Sequence, residues 1–175
     1  MKGRKPRDSA PAIHALKRSF EPVADARTRL LVLGSLPGEE SLAKAQYYAN
    51  PRNQFWRLMG EVIGTDLVPL DYERRLGTLL QTRIGLWDSV GSATRPGSLD
   101  GDIRLHSANA LRELADSLPN LRAIAFNGCT SARIGMKTLG EEPPWALLPL
   151  PSSSPAFTLA YACKREAWLA LSDYL

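Results

Sequence analysis

The sequence predicts an α/β fold in one domain, with its strands gathered into a single, mostly parallel sheet. Three observations lead there. The chain has 175 residues, 44% hydrophobic and 23% charged, which suits one ordinary core rather than two domains. Beyond the first 28 residues, short apolar runs alternate with amphipathic segments, as strands joined by helical crossovers do. Turn-forming residues follow the apolar runs, so right-handed crossovers would collect those loops at the carboxyl ends of the strands.

The elements follow in order. Leu30-Leu31-Val32-Leu33 is a continuous apolar run stopped by Gly34, the pattern of a buried strand entering a loop. Residues 53–63 carry Phe55, Trp56, Leu58, Met59 and Val62 at helical spacing, and residues 71–81 form a second helical segment. A short strand is predicted at 84–87, a helix at 107–118 that stops before Pro119, and a strand at 121–126. Asn127-Gly128 turns the chain. A helix at 129–139, a strand at 146–150 and a closing helix at 161–173 complete the pattern. Four loops stand after predicted strands: Gly34-Ser35-Leu36-Pro37-Gly38, Trp87-Asp88-Ser89, Asn127-Gly128 and Pro151-Ser152-Ser153-Ser154-Pro155. Each alone is ordinary connection chemistry; their shared placement implies one cleft.

Composition excludes several classes. The longest uncharged stretch, 143–163, contains five prolines and three consecutive serines and cannot form a membrane-spanning helix. The start Met1-Lys2-Gly3-Arg4-Lys5 is basic but lacks a following apolar run, so no secretory signal is read and a cytoplasmic location is expected. Cys129 and Cys163 are far apart without a CxxC pattern, so no metal site is expected, and reduced, mostly buried thiols are. The formal net charge is +4, but residues 1–29 hold eight Lys/Arg against three Asp/Glu. The rest is close to neutral. Residues 1–28 therefore read as a basic arm, able to attract nucleic acid or simply solvated.

The first loop has neither the GxxxxGK[ST] nor the GxGxxG pattern, which leaves nucleotide cofactors without support. The segment Gln46-Tyr47-Tyr48-Ala49-Asn50-Pro51-Arg52-Asn53-Gln54-Phe55-Trp56 sets aromatic rings and amides just before a helix. Its tyrosines could stack on a base and Asn53 could hold a water, or the tyrosines pack and Asn53 caps the helix. Trp56 and Trp87 read as core, and His14 and His106 as structural.

These motifs together resemble the uracil-DNA glycosylase superfamily, and within it the deoxyinosine (hypoxanthine) DNA glycosylases. The resemblance rests on Gly34 to Gly38, Ser41 and the Tyr47 to Trp56 segment. It continues through Leu86-Trp87-Asp88, Arg95-Pro96-Gly97-Ser98-Leu99-Asp100, Phe126-Asn127-Gly128 and Leu150-Pro151-Ser152-Ser153-Ser154-Pro155. It spans roughly residues 28–172. It implies a single three-layer α/β/α domain with a four-stranded central sheet over 29–175, and a monofunctional glycosylase acting on damaged DNA without metal or cofactor. A monomer is expected. Hypoxanthine is the first choice of base and uracil the second; a non-catalytic DNA-binding relative and an enzyme of free nucleosides are the rival readings.

The resemblance also assigns roles. Mismatch-specific and thymine glycosylases carry a catalytic asparagine where this chain has Leu36, which argues against uracil hydrolysis by that position. The later asparagine falls on Asn53, which takes the catalytic role, with Ser35 beside it. Gly34, Leu36, Pro37, Gly38, Gln46, Tyr48, Asp88 and Asn127 are the expected base-binding set, Tyr48 stacking on the flipped base. Arg52, Arg95, Ser98, Ser152, Ser153 and Ser154 are the expected DNA contacts. The Pro-Ser loop has no histidine, so the imidazole donor of the classical uracil enzymes is absent. Asp88 and Asp100 are each able to serve as a base; Asp100 in its Gly-Ser-Leu-Asp turn also reads as a structural cap. No lysine falls in the matched motifs, although Lys44 lies nearby.

Overall fold

The computed structural model describes residues 15–175; His14 and the first half of the expected basic arm lie outside them. Four parallel strands make the central sheet: β2 (Leu30–Gly34), β3 (Ile84–Asp88), β6 (Ala123–Asn127) and β7 (Ala146–Leu150). Their order is β3-β2-β6-β7. Alternation within each strand sorts the core into two layers. Leu30, Val32, Ile84, Leu86, Ala123 and Ala125 face one side, under α2 (Phe55–Ile63), α3 (Tyr72–Gln81) and α6 (Tyr161–Leu169). Leu31, Leu33, Ile124 and Phe126 face the other, under α4 (Leu111–Ser117) and α5 (Cys129–Leu139). Both faces of β2 are covered, which is why it is apolar at every position from Leu30 to Leu33. The expected three-layer α/β/α domain is present.

The largest buried aromatics pin α2 and α6 to that first face. Phe55 and Trp168 are fully enclosed and meet edge to face at 5.9 Å. Burial of such a side chain contributes roughly 1.5–3 kcal/mol. Trp56 is core as expected, and the half-buried Trp87 donates from its indole nitrogen to Phe20 O.

The structure also departs from the sequence pattern. A second sheet, antiparallel in the order β1-β4-β5, joins β1 (Leu16–Arg18), β4 (Val90–Thr94) and β5 (Arg104–Ala108). The helix expected at 107–118 therefore starts only at Leu111. Residues 107 and 108 stay extended because Ser107 pairs with Ser92 and Ala108 with Val90. The described part of the expected arm 1–28 packs onto the fold: Leu16–Arg18 pair with Ser92–Thr94, and Val23 bridges Leu86. A short helix, α1 (Glu39–Lys44), precedes the Tyr47-Tyr48 segment without any counterpart in the pattern. Finally, Cys129 and Cys163 are both exposed, against the expectation of buried thiols. Each sits in the first turn of its helix, where the side chain points outward.

Candidate active site

In this strand order the chain turns to opposite sides after β2, so a crevice opens between the carboxyl ends of β2 and β6. A cavity of about 870 Å³ lies there, enclosed by the loops after β2, β3, β6 and β7. Gly34 to Gly38, Tyr48, Arg52, Asn53, Asp88, Asn127, Ser98 and Ser152 to Ser154 line it, as expected from the sequence. Gln46 and Arg95 do not line it.

One face of the cavity is a fixed chain of hydrogen bonds. The Asn127 amide clamps Ser153: its Oδ1 accepts from Ser153 N at 2.8 Å and its Nδ2 donates to Ser153 Oγ at 2.8 Å. Ser153 Oγ in turn donates to Asn53 Oδ1 at 2.8 Å. Asn53 Oδ1 also accepts from Phe55 N at 3.0 Å, the helix-entry turn predicted as the plain alternative. The two readings of Asn53 thus coexist. Both lone pairs of its oxygen are engaged, and the group it has left for the cavity is the Nδ2 donor. Ser153 is buried, which corrects its assignment as a DNA contact: it is the middle link between two asparagines.

The floor is aromatic and acidic. Tyr48 stacks on Phe55 with centroids 3.7 Å apart and an interplanar angle of 11°. Its φ is +52°, a strained conformation for a tyrosine. Its hydroxyl is buried without a hydrogen-bond partner, and burial raises its pKa. Asp88 ends β3, is 3% exposed, and accepts from Ser19 Oγ at 2.9 Å through Oδ2. Burial pushes its pKa up to about 7; Asp100 adds to the rise, while the Ser19 hydrogen bond and Arg95 oppose it. Gly34 is required where it stands, because a Cβ there would lie 2.5 Å from Asp88 Oδ1 and 3.1 Å from Tyr48 Oη.

The first loop is braced from behind. Ser35 Oγ donates to Asp100 Oδ1 at 2.6 Å. Its hydroxyl is committed to a carboxylate, so Ser35 is a brace rather than a second catalytic group. Arg95 is 1% exposed and gives its guanidinium to backbone carbonyls: Nε to Gly97 O at 3.1 Å, Nη1 to Leu36 O at 3.2 Å, and Nη2 to Pro37 O. Its assignment as a phosphate contact is therefore corrected: it is buried, and each of its three nitrogens donates to a carbonyl inside the protein. Leu36 packs with Val90, Ala93 and Ile134 and offers the cavity little more than backbone. Ser98 Oγ accepts from Glu39 N at 2.9 Å and ties the 97–100 turn to α1.

The opposite rim has its own buried cation, which nothing in the sequence singles out. Lys164 on α6 is 1% exposed and donates to Phe157 O at 2.7 Å and Ser154 O at 3.3 Å. Drawing these carbonyls inward shapes the Pro-Ser loop and leaves Phe157, 46% exposed, on the rim. Leu99, 57% exposed, stands on the other rim. Gly128, at φ +98° with Ser152 Cβ 3.1 Å from its own missing Cβ, leads into α5 without a side-chain cap. Cys129 and Thr130, the first residues of α5, line the cavity, and a helix start without a side-chain cap has amides available to an anion. Arg52 is exposed at the mouth. Among the described residues no group of three His, Cys, Asp or Glu gathers as a metal site.

A family model described as the uracil DNA glycosylase superfamily matches residues 21–172. A hypoxanthine DNA glycosylase of Methanosarcina barkeri is 39% identical over 154 residues, which cover 87% of this chain and 95% of that protein. A hypoxanthine DNA glycosylase of Methanosarcina acetivorans is 48% identical over 113 residues, covering 65% and 72%. The solution NMR structure of a Methanosarcina acetivorans protein, provisionally described as a uracil DNA glycosylase, superposes with a TM-score of 0.81 at 40% identity. The superposition covers 90% of this chain and 97% of that one.

Proposed function

We propose that this chain, which belongs to the uracil DNA glycosylase superfamily, hydrolyses the N-glycosidic bond of a deaminated base flipped out of DNA, with hypoxanthine in deoxyinosine as its first substrate. The Asn53, Ser153 and Asn127 relay is the observation that carries this reading. Cleavage leaves positive charge on the sugar and negative charge on the base, so the site must hold donors where the base departs. Asn53 Nδ2 is such a donor. Its orientation is imposed from the far end of the relay, because Asn127 and the Ser153 hydroxyl allow Asn53 only the role of acceptor at Oδ1. The likeness to the two hypoxanthine DNA glycosylases supports the choice of base.

The rest of the site suits polymeric DNA. Extruding a base costs a few kcal/mol and is cheapest at a damaged pair. Arg52, Ser152, Ser154 and the amino terminus of α5 offer the flanking phosphates one charge and several donors. Tyr48, braced by Phe55, provides a plane for the flipped base. Water is the nucleophile and the product is an abasic site. Among the described residues no lysine lines the cavity to form a Schiff base: Lys164 is engaged by two carbonyls, and Lys44 is exposed and paired with Glu40. No metal or organic cofactor is needed for this chemistry. Two exposed thiols suit a reducing, cytoplasmic setting.

Single-turnover assays on oligonucleotides with one deoxyinosine, one deoxyuridine or no lesion test the reading, with alkaline cleavage of the products. Breaks at deoxyinosine that disappear in Asn53→Ala are expected. Dominant breaks at deoxyuridine would move the substrate to uracil, which the family description and the solution structure favour. Tight DNA binding without release of any base would refute the enzymatic reading.

A further inference from the structure

We propose that Asp88 acts as a neutral carboxylic acid, donating a hydrogen bond from Oδ1 to the lactam oxygen of the flipped base as that base departs. This rests on the glycosylase reading and extends it to how the site tells bases apart. The geometry comes first. Oδ2 of Asp88 is held by Ser19, while no described residue donates to Oδ1. Asp88 lines the cavity with Oδ1 beside Gly34, itself a lining residue, and the buried Tyr48 hydroxyl approaches the same point. The absence of a side chain at Gly34 lets these two oxygens converge at the wall of the cavity, where the edge of a planar ring can meet them. A buried hydroxyl left unpaired, as at Tyr48, is costly and rare, and a bound base would supply a partner to it and to Asp88 Oδ1.

The surroundings favour the protonated form up to about neutral pH. Tyr47 and Tyr48, from the segment after α1, are phenols whose pKa burial raises, so they bring no charge. From the stretch after β4 come Asp100, whose charge favours protonated Asp88, and Arg95, which opposes it with a guanidinium aimed at carbonyls. The 15–28 segment presents only the Ser19 hydroxyl, and β2 only Gly34. Burial outweighs these and puts the carboxyl's pKa near neutrality. The principle is that of a carboxylic acid kept neutral by an apolar site so that it can donate a hydrogen bond.

The chemistry follows. As the C1′–N bond breaks, both electrons go to the base, and the negative charge spreads onto the lactam oxygen. A neutral O–H there is stabilising, whereas a carboxylate would repel the departing anion. Asp88 keeps its proton throughout: water adds to C1′, and the proton that water loses balances the one the base gains. Because Oδ2 is occupied by Ser19, the acid meets the base as a donor. At the exocyclic position that deamination changes, hypoxanthine and uracil offer it a carbonyl oxygen, where adenine and cytosine carry an amino group that cannot accept.

Single-turnover release of hypoxanthine is measured from pH 5.5 to 9 for wild type, Asp88→Asn and Asp88→Ala, with melting curves for each. In wild type the rate is expected to be flat at low pH and to fall up to tenfold per pH unit above about pH 7. Asp88→Asn places its amide oxygen on Ser19 and its NH2 toward the cavity. It is expected to stay within tenfold of the wild-type plateau and to lose the alkaline fall. Asp88→Ala is expected to be at least a hundredfold slower at every pH. A wild-type rate that is flat across the range, or that rises through pH 7 with Asp88→Asn as slow as Asp88→Ala, overturns the proposal, the latter in favour of a carboxylate base. Wild type that binds DNA yet releases neither hypoxanthine nor uracil at any pH overturns the glycosylase reading itself.

Discussion

Replacing Ser153 by alanine removes one oxygen and cuts the relay at its centre. Two hydrogen bonds disappear, the one accepted from Asn127 Nδ2 and the one donated to Asn53 Oδ1, each 2.8 Å long. Asn127 is buried, so its stranded N–H costs about 1–3 kcal/mol, and the lost bond to Asn53 adds about 0.5–1.5 kcal/mol. A destabilisation of about 3 kcal/mol is expected, which for a domain of this size lowers Tm by roughly 6–12 °C. The backbone bond from Ser153 N to Asn127 Oδ1 survives the substitution, so the loop keeps its place and the protein stays folded at 25 °C. Asn53 retains only its bond from Phe55 N, and its amide can rotate. The single-turnover rate should fall by roughly 10–100-fold, as when a supporting hydrogen bond is taken from a positioned active-site group, while DNA affinity changes little. Calorimetry and rapid-quench assays on the same preparation read both effects. A variant with unchanged Tm and unchanged rate would refute the relay as the device that orients Asn53.

The two arginines of the site should behave in opposite ways. Arg52→Ala leaves an exposed position and should keep Tm within a degree or two, weaken DNA binding, and reduce the slope of log K against log salt by about one. Arg95→Met removes the donors to three carbonyls and should lower Tm markedly, with the salt slope intact; the reverse pattern in anisotropy titrations would show Arg95 to be a phosphate contact after all. Asp88 also makes stability depend on pH. Its carboxyl holds its proton more tightly in the folded chain than an ordinary aspartate does. The stabilisation is therefore complete below about pH 4 and is lost as pH rises through about 7. Relative to wild type, Asp88→Asn should gain on the order of 2–3 kcal/mol between pH 5 and pH 8 in denaturant titrations; a constant difference would mean that Asp88 is ionised throughout.

Much of this protein is written locally. The apolar run Leu30 to Leu33, the helical spacing of Phe55 to Val62 and the turn at Asn127-Gly128 each state their structure within a few residues, because strand and helix periods are local properties. The loops at the carboxyl ends of four strands follow from crossover handedness, and with them the place of the cleft. Asn53 is legible both as a helix cap and as a catalytic amide, and it serves as both. The second sheet is not legible. Val90 to Thr94 is mostly small and polar, β1 has three residues, and their pairing spans Leu16 to Thr94, a contact no local window contains.

The sequence by itself determined the α/β class, the order of the elements and the residue types available to the cleft. Only the tertiary structure decided what each of them does. Arg95, Ser153 and Lys164 look like surface residues in any window, yet all three are buried, because loops brought together from distant parts of the chain turn carbonyls and amides inward and need partners there. Ser153 lies 100 residues from the asparagine it orients. The ionisation of Asp88 is likewise set by burial among groups it meets only after folding. Periodicity and turn chemistry are read along the chain; burial, and the electrostatics that come with it, exist only once the chain has packed.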